Sequence, residues 1–174
     1  MALSTVVKHA AKLIVVAGMA IAVAACANQN PNGNDQTLLG PNNGKGAPAT
    51  PGSPRDFSQN VGDIVYFSTD STDLSPEAQQ TVVNQARWLQ KYPQYTITIE
   101  GHADERGTRE YNIGLGAKRA EAVKAFLARN GINGSRIRTI SYGKERPVAV
   151  CNDISCWSQN RRAQTVLNSR VSSN

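Results

Sequence analysis

The chain has 174 residues, with 19 lysines and arginines against 13 aspartates and glutamates and a net charge of +6 at neutral pH. This length accommodates one ordinary domain with appendages and excludes a large multidomain enzyme. Hydrophobic residues make up 40% of the chain and charged residues 18%, which is typical of globular proteins. Their distribution is uneven, because an apolar start is followed by a polar stretch and then by a mixed remainder. Each part is therefore expected to have its own structure.

The first 25 residues have the pattern of a secretory signal peptide. Two lysines and a histidine precede an apolar run over residues 13–25, which carries no charge. A helix needs about 20 apolar residues to cross a bilayer, so the run is short for a transmembrane anchor. A signal peptide is therefore the favoured interpretation.

A short motif at the end of this run resembles the lipobox of bacterial lipoproteins. Residues 23–26 read Val-Ala-Ala-Cys, with small side chains before a cysteine whose thiol would carry the lipid. The alternative is an ordinary cleavage site followed by an incidental cysteine. Lipid on Cys26 would anchor the mature chain to a membrane without spanning it. Ala27 stands where an aspartate would resemble the inner-membrane retention signal, so we expect the outer membrane.

Residues 26–56 are predicted to form the lipidated Cys26 and a disordered linker. Between Ala27 and about Asp56, Leu38 and Leu39 are almost the only large apolar side chains, so this stretch cannot bury a core. A flexible coil of this length would hold the following domain away from the membrane.

The remaining residues, 57–174, are predicted to form the functional domain. Ile64-Val65-Tyr66-Phe67 is a candidate buried strand. Ser75 then has the position of an N-cap, with Pro76 as the first helical residue. The helix is expected to run to about Tyr92, because Pro93 stops it.

A second strand and a second helix follow. Residues 96–99 alternate with a period of two and lead into a loop from Gly101 to Arg109. The helix after this loop ends at Asn130-Gly131, and its core stripe is Ala120, Val123, Phe126 and Leu127. Further strands are expected near residues 137–142 and 163–167. The resulting βαβαββ order predicts a sandwich of α+β or α/β type, with the helices on one sheet.

Two cysteines remain when Cys26 is set aside. Cys151 and Cys156 are separated by four residues, and a secreted chain enters an oxidising compartment, so we predict a disulfide. Two separate thiols are the alternative. Zinc is less favoured, because His102 is the only histidine left in the mature chain to serve as a further ligand.

Polar residues on the second helix point to a binding site. Asn112, Leu115 and Arg119 are spaced so that they share one helix face. The preceding loop, residues 101–108, adds two carboxylates and another arginine between two glycines. Together they could form a small pocket with charges of both signs. Residue types alone also allow a plain structural ion pair between an aspartate and an arginine.

These motifs resemble the OmpA C-terminal-like family over nearly all of residues 57–167. The matching residues are Ile99 through Thr108, Tyr111-Asn112, Leu115, Arg119-Ala120 and Val123, with 65–67, 141–145 and 160–163 on either side. The resemblance implies an α+β fold with helices packed on a mixed sheet.

The resemblance also implies a ligand, the cell-wall peptide stem carrying meso-diaminopimelate, whose free end presents an ammonium beside a carboxylate. It implies that Asp104 accepts the ammonium and that Arg119 binds the carboxylate, which a planar guanidinium suits better than an amine. Further candidates for peptidoglycan binding are Asp70, Arg106, Asn112, Leu115 and Arg161. The alternatives are a turn-forming role for Asp70, loop bracing by the next three, and a surface salt bridge for Arg161. His102 is expected to be structural, with a hydrogen bond inside the loop.

Two positions depart from the family pattern. Arg109 stands where relatives often have proline, and Gly116 where they often have serine. Together with Gly114, Gly116 lowers the helix propensity near the start of the second helix, which favours a later start for that helix.

The combined expectation is a non-enzymatic tether with lipid in the outer membrane and a domain that binds peptidoglycan non-covalently. The resemblance further implies the Tol-Pal system, binding to TolB, and a role in envelope integrity and cell division. A hydrolase using His102 with Asp104 or Glu105 is disfavoured, because no activated nucleophile or metal-ligand spacing accompanies them. A lipid-anchored protein-interaction module remains the alternative. No cofactor and no metal are expected, and no nucleic acid, since base-reading motifs are missing and a secreted chain does not meet DNA.

Overall fold

The computed structural model describes residues 48–168, which lie in one compact unit spanning residues 44–174. The predicted signal peptide, Cys26 and most of the linker lie outside the described residues. Within residues 48–168, no helix is both long enough and apolar enough to cross a membrane.

Four strands form one mixed sheet. They are Ile64–Tyr66 (β1), Ile97–His102 (β2), Ile137–Gly143 (β3) and Arg162–Leu167 (β4). The strand order is β1-β4-β2-β3, with β4 antiparallel to both of its neighbours and β2 parallel to β3. The predicted α+β class with a mixed sheet is therefore confirmed.

The helices of the described residues are Pro54–Asp56 (α1), Pro76–Lys91 (α2), Arg109–Arg129 (α3) and Ile154–Asn160 (α4). A π-helical turn and a 3-10 turn occupy Phe57–Val61 and Gly134–Arg136. Buried apolar side chains of α2 and α3 share one core with those of the four strands. The core thus lies between these two helices and the sheet.

The sequence predicted both ends of α2. The Ser75 hydroxyl accepts a hydrogen bond from the Ala78 amide at 3.2 Å, and Pro76 is the first helical residue. The helix ends at Lys91, two residues before Pro93. Its buried stripe has helical spacing and includes Ala78, Val82, Ala86 and Leu89.

The helix α3 begins at Arg109, so the later start favoured by its glycines is wrong. The Thr108 hydroxyl caps it by accepting a hydrogen bond from the Tyr111 amide at 3.2 Å. Gly116 is required where it stands, because a Cβ there would collide with the Ser141 hydroxyl and approach the Gly101 carbonyl oxygen to 2.8 Å. A Cβ on Gly101 of β2 would in turn collide with the Gly116 carbonyl oxygen. The two glycines let the helix backbone lie directly on the strand.

The structure adds α4 to the predicted βαβαββ order, between β3 and β4. It has seven residues, and its N-cap is Asp153, whose carboxylate accepts a hydrogen bond from the Ser155 amide at 2.7 Å. Two turns are too few to show an apolar helical period, and so the sequence did not indicate this helix.

Packed structure begins before the predicted domain start at Phe57. The Gly52 carbonyl accepts a hydrogen bond from the Tyr95 hydroxyl at 2.8 Å. The Asp56 carboxylate accepts one from the Trp88 indole at 2.8 Å. The linker boundary at Asp56 is therefore corrected to an earlier residue. The polar composition of this segment did not indicate packing, because a backbone carbonyl and a carboxylate, rather than apolar side chains, make these contacts.

Candidate functional site

Six of the seven predicted peptidoglycan-binding residues line one pocket of about 230 Å³ where β2 leads into α3. They are Asp70, Asp104, Arg106, Asn112, Leu115 and Arg119. Thr69, Gly107 and Tyr111 complete the lining. The seventh residue, Arg161, contacts Asp104.

Asp104 lies two residues beyond β2, with only 7% of its surface exposed. Its carboxylate accepts hydrogen bonds from the Arg106 guanidinium at 2.7 Å and from the Arg161 guanidinium at 3.3 Å. Burial by itself raises the pKa of this carboxyl, but the bonds from Arg106 and Arg161 outweigh burial and lower the pKa below its usual value. Asp104 is therefore charged and held between two cations.

Arg119 is fully buried on α3 and binds backbone carbonyls on two other segments. Its guanidinium donates to the carbonyls of Ser68 at 3.1 Å, Ser71 at 2.9 Å and His102 at 2.8 Å. Burial, aided by the nearby Arg161 charge, lowers the pKa of Arg119 to about 10. The side chain therefore joins the loop after β1 and the end of β2 to the helix, while still lining the pocket.

Arg161 is buried, which rules out the surface salt bridge considered for it. Only 7% of its surface is exposed. Its Nε donates to the Phe67 carbonyl at 3.1 Å, and its own carbonyl accepts from the Phe67 amide at 2.9 Å. The residue thus supports Asp104 from within the domain.

Asp70 has left-handed backbone torsion angles, with φ of 55°. Its carboxylate accepts a hydrogen bond from the exposed Tyr111 hydroxyl. This bond raises the pKa of Tyr111. The sequence identifies Tyr111 only as part of the family motif and not as a binding residue, although its spacing of four from Leu115 and eight from Arg119 places all three on one helix face.

Asn112 braces the loop over residues 103–108. Its side chain is 2% exposed and donates to the Arg106 carbonyl at 2.7 Å. The Lys144 ammonium donates to the carbonyls of Gly107 at 2.7 Å and Glu105 at 3.2 Å. The loop-bracing role considered for Asn112 is therefore present in the structure.

His102 does not make the loop hydrogen bond expected of it. It lies on β2, 2% exposed, and neither ring nitrogen has a hydrogen-bond partner in the described part of the chain. The Glu100 carboxylate is 3.9 Å from Nε2, beyond hydrogen-bonding range. Burial, aided by the charges of Arg162 and Arg146, lowers the pKa of His102 to about 4. The ring is therefore neutral at pH 7.

The segment around α4 supplies a contact that the sequence analysis missed. Cys151 and Cys156 are joined in a disulfide, with their Cα atoms 5.7 Å apart. The next residue, Trp157, places its ring 4.3 Å from the Arg106 guanidinium and donates its indole N–H to the Glu105 carboxylate. Sequence carries no signal for this contact, since 50 residues separate the loop from the tryptophan.

The pocket and its surroundings combine two carboxylates with three guanidiniums, from Asp70, Asp104, Arg106, Arg119 and Arg161. This set suits a ligand with both an ammonium and a carboxylate. Among residues 48–168, no group of three or more His, Cys, Asp or Glu side chains is placed to hold a metal ion.

Comparison with known proteins identifies relatives of the whole chain. The model of the OmpA family matches residues 66–162, which is more than half of the chain. The "Peptidoglycan-associated lipoprotein" of Agrobacterium fabrum is 59% identical over 169 residues, covering 95% of this chain and 93% of that protein. The protein of the same name from Rhizobium meliloti is 62% identical over 149 residues, covering 86% and 83%.

Solved structures give the same result. The peptidoglycan-associated lipoprotein from Burkholderia pseudomallei superposes with a TM-score of 0.63 at 40% identity, over 67% of this chain and 100% of that one. The C-terminal domain of Helicobacter pylori MotB superposes with a TM-score of 0.58 at 22% identity, over 63% and 86%, which shows a shared fold alone. The chain belongs to the OmpA family and, within it, to the peptidoglycan-associated lipoproteins.

Proposed function

We propose that the chain binds peptidoglycan non-covalently, through the free end of meso-diaminopimelate in a stem peptide. The observation that carries this proposal is the single pocket in which Asp70, Asp104 and Arg119 meet. The ligand's ammonium binds the carboxylates of Asp70 and Asp104. Its carboxylate binds the two Arg119 N–H groups that remain when three of five bind backbone carbonyls. This is a binding function without turnover.

Arg106 is the pocket residue that moves to admit the ammonium. Its side chain is 41% exposed, while that of Arg161, the other partner of Asp104, is 8% exposed. An arginine with this exposure can turn its guanidinium into solvent, and the ligand ammonium then replaces its charge beside the nearly buried Asp104 carboxylate. The buried Arg161 keeps its hydrogen bond to Asp104.

The same proposal includes the anchor and the partners. Lipid on Cys26 holds the chain in the outer membrane, and the linker spans the distance to the cell wall. Membership of the Tol-Pal system and binding to TolB follow from the family resemblance, and give the tether its role in envelope integrity and cell division. The lipobox motif at residues 23–26 and the names of the relatives support this part.

Calorimetric titration of the 44–174 unit with a muropeptide containing diaminopimelate tests the binding site. Asp70→Asn and Asp104→Asn each remove one carboxylate with almost no change in shape. Asp73→Asn is the matched control, because Asp73 is exposed on the same loop as Asp70 and does not line the pocket. We expect each pocket variant to weaken binding by about tenfold or more, and the control to bind as wild type does.

The other outcomes separate the alternatives. Binding that is unchanged in both pocket variants would contradict the proposed site. Absence of wild-type binding, with the fold intact by circular dichroism, would favour the lipid-anchored interaction module. In that case a pull-down with purified TolB is the next measurement.

A further inference from the structure

We propose that Trp157 on α4 is a positioning residue that holds the loop over residues 103–108 in its binding shape, with the Cys151–Cys156 disulfide anchoring the helix that carries it. The inference concerns how the pocket is kept in order. The part of this inference that concerns ligand binding rests on the proposed function.

The contacts of Trp157 reach two consecutive loop residues. Its ring lies 4.3 Å from the Arg106 guanidinium, within the range of a cation–π interaction. Its indole N–H binds the Glu105 carboxylate. Arg106 in turn donates three hydrogen bonds to the Asp104 carboxylate, so one residue separates the tryptophan from the proposed ammonium acceptor.

The loop depends on contacts with other segments because it has no regular secondary structure. Residues 105–108 are exposed, and Gly107 adopts φ of 85°, a region that glycine enters freely. Lys144 holds the loop from the end of β3 by donating to the carbonyls of Glu105 and Gly107. Trp157 holds the side chains of the same loop from α4.

The helix α4 also needs an anchor, because an isolated helix of seven residues does not form in water. The disulfide fastens its middle at Cys156, the residue before Trp157. Asn160 fastens its end, since its amide accepts from the Val148 amide at 2.9 Å and donates to the Ala149 carbonyl at 2.8 Å. These two attachments join α4 to residues 148–151, just before it, and the next residue after the helix, Arg161, is bonded to Phe67 in the domain. The helix that carries Trp157 is therefore held at both ends.

Two substitutions at Trp157 and one nearby test the role. Trp157→Leu removes both the aromatic ring and the indole N–H, whereas Trp157→Phe keeps an aromatic ring for Arg106. Ile154→Ala is the matched control, because Ile154 lies on the same helix with its side chain 62% exposed. All are made in the 44–174 unit, which has its own core.

The first readout needs no ligand. Amide hydrogen exchange is followed separately in the loop over residues 103–108 and in β2. We expect Trp157→Leu to speed exchange of the loop amides by about tenfold while β2 keeps its protection. Trp157→Phe should recover most of the effect, and Ile154→Ala should match wild type. Replacing both cysteines by serine should speed loop exchange in the same direction as Trp157→Leu.

The second readout is the affinity for the muropeptide, which we expect Trp157→Leu to reduce by about tenfold and Trp157→Phe to restore. If the loop amides of Trp157→Leu exchange as slowly as those of wild type, the positioning role is overturned. If those of the double serine variant do so, the anchoring role of the disulfide is overturned. Absence of wild-type binding would overturn the proposed function alone, because loop exchange still decides the role of Trp157. If the β2 amides of Trp157→Leu also lose their protection, the variant has disturbed the whole fold, and Trp157→Phe then tests the positioning role. Loss of the Glu105 bond alone should speed loop exchange to a smaller, measurable extent.

Discussion

Arg119 lines the proposed binding pocket and also contributes to the stability of the domain. Its three hydrogen bonds to carbonyls connect segments that are up to 51 residues apart in sequence. A lysine at this position keeps the charge, but it concentrates its donors at one point and cannot reach all three carbonyls. We expect Arg119→Lys to lower the free energy of unfolding by about 2–3 kcal/mol, because at least two of the three carbonyls, of which one is buried and two are partly buried, lose their partners.

Urea unfolding of the 44–174 unit measures this loss. Arg129→Lys is the control, because Arg129 is exposed in the last turn of the same helix. The control should stay within about 0.5 kcal/mol of wild type, as most surface substitutions do. Equal stability of both variants would show that the carbonyl contacts of Arg119 contribute little.

His102 makes the stability of the domain depend on pH. Its pKa in the folded state is about 4, below the usual 6.5 of histidine, because burial disfavours the charged ring. Between pH 4 and pH 6.5 the unfolded chain therefore binds one proton more at His102 than the folded chain does. The stabilising contribution is complete above pH 6.5 and is lost as the pH falls toward 4, by about 3 kcal/mol at most.

Unfolding free energies of wild type and His102→Leu between pH 4 and 7 check this prediction. His102 is the only histidine of the 44–174 unit, so no other imidazole contributes to the difference. The wild type should lose more stability than the variant across this range. Parallel curves would contradict a depressed pKa for His102.

At the scale of elements, the two glycines of α3 have opposite roles. A Cβ on Gly116 would collide with the Ser141 hydroxyl and approach the Gly101 carbonyl to 2.8 Å, whereas one on Gly114 would meet nothing within 4 Å. Gly116→Ala should therefore destabilise the domain by about 2 kcal/mol or more. Gly114→Ala should stabilise it by about 0.5–1 kcal/mol, since it only raises helix propensity.

Thermal unfolding of these two variants, made separately, checks the pair. Each variant is the control for the other, because the same substitution is made twice on the same helix. Gly116→Ala should lower Tm and Gly114→Ala should raise it. A loss of stability in both would mean that the helix itself, rather than its contact with β2, needs glycine.

The elements that the sequence predicted well are those with strong local signals. Local signals at Ser75 and Pro76 specify the start of α2. The alternation before Gly101 indicates β2, although the strand runs to His102, past the start predicted for the loop. The helix α4 was missed because its seven residues are too few to show an apolar helical period, and the nearby disulfide, although predicted, does not specify a helix. The contact of Trp157 with Arg106 was undetected because it joins residues that are distant in sequence, whereas the six pocket residues were found through a family motif.

At the scale of the whole molecule, strand order brings the site together. Because β4 runs antiparallel to β1 and β2, its first residues lie beside the last residues of both. The loop after β1 therefore carries Asp70, the segment after β2 carries Asp104, and Arg161 just precedes β4. Since β3 is parallel to β2, Lys144 follows it at the same edge. Residues from four distant segments thus meet at one end of the sheet.

The domain boundary is a property of the whole chain that the structure moves toward the N-terminus. The segment before Phe57 contributes the Gly52 carbonyl to Tyr95 and the Asp56 carboxylate to Trp88. A fragment starting at residue 57 lacks these two hydrogen bonds. We expect the 57–174 fragment to be less stable than the 44–174 unit by about 2 kcal/mol, with about 1 kcal/mol for each bond.

Urea unfolding of the two fragments, followed by tryptophan fluorescence, measures this difference, because Trp88 lies in the affected core. Asp56→Asn in the longer fragment is the intermediate case, since an amide oxygen still accepts the indole N–H but without the carboxylate charge. Its stability should fall between those of the two fragments. Equal stability of all three proteins would place the start of the domain at Phe57, as the sequence predicts. The expected order would instead shorten the linker of the proposed tether by the residues that pack against Trp88 and Tyr95.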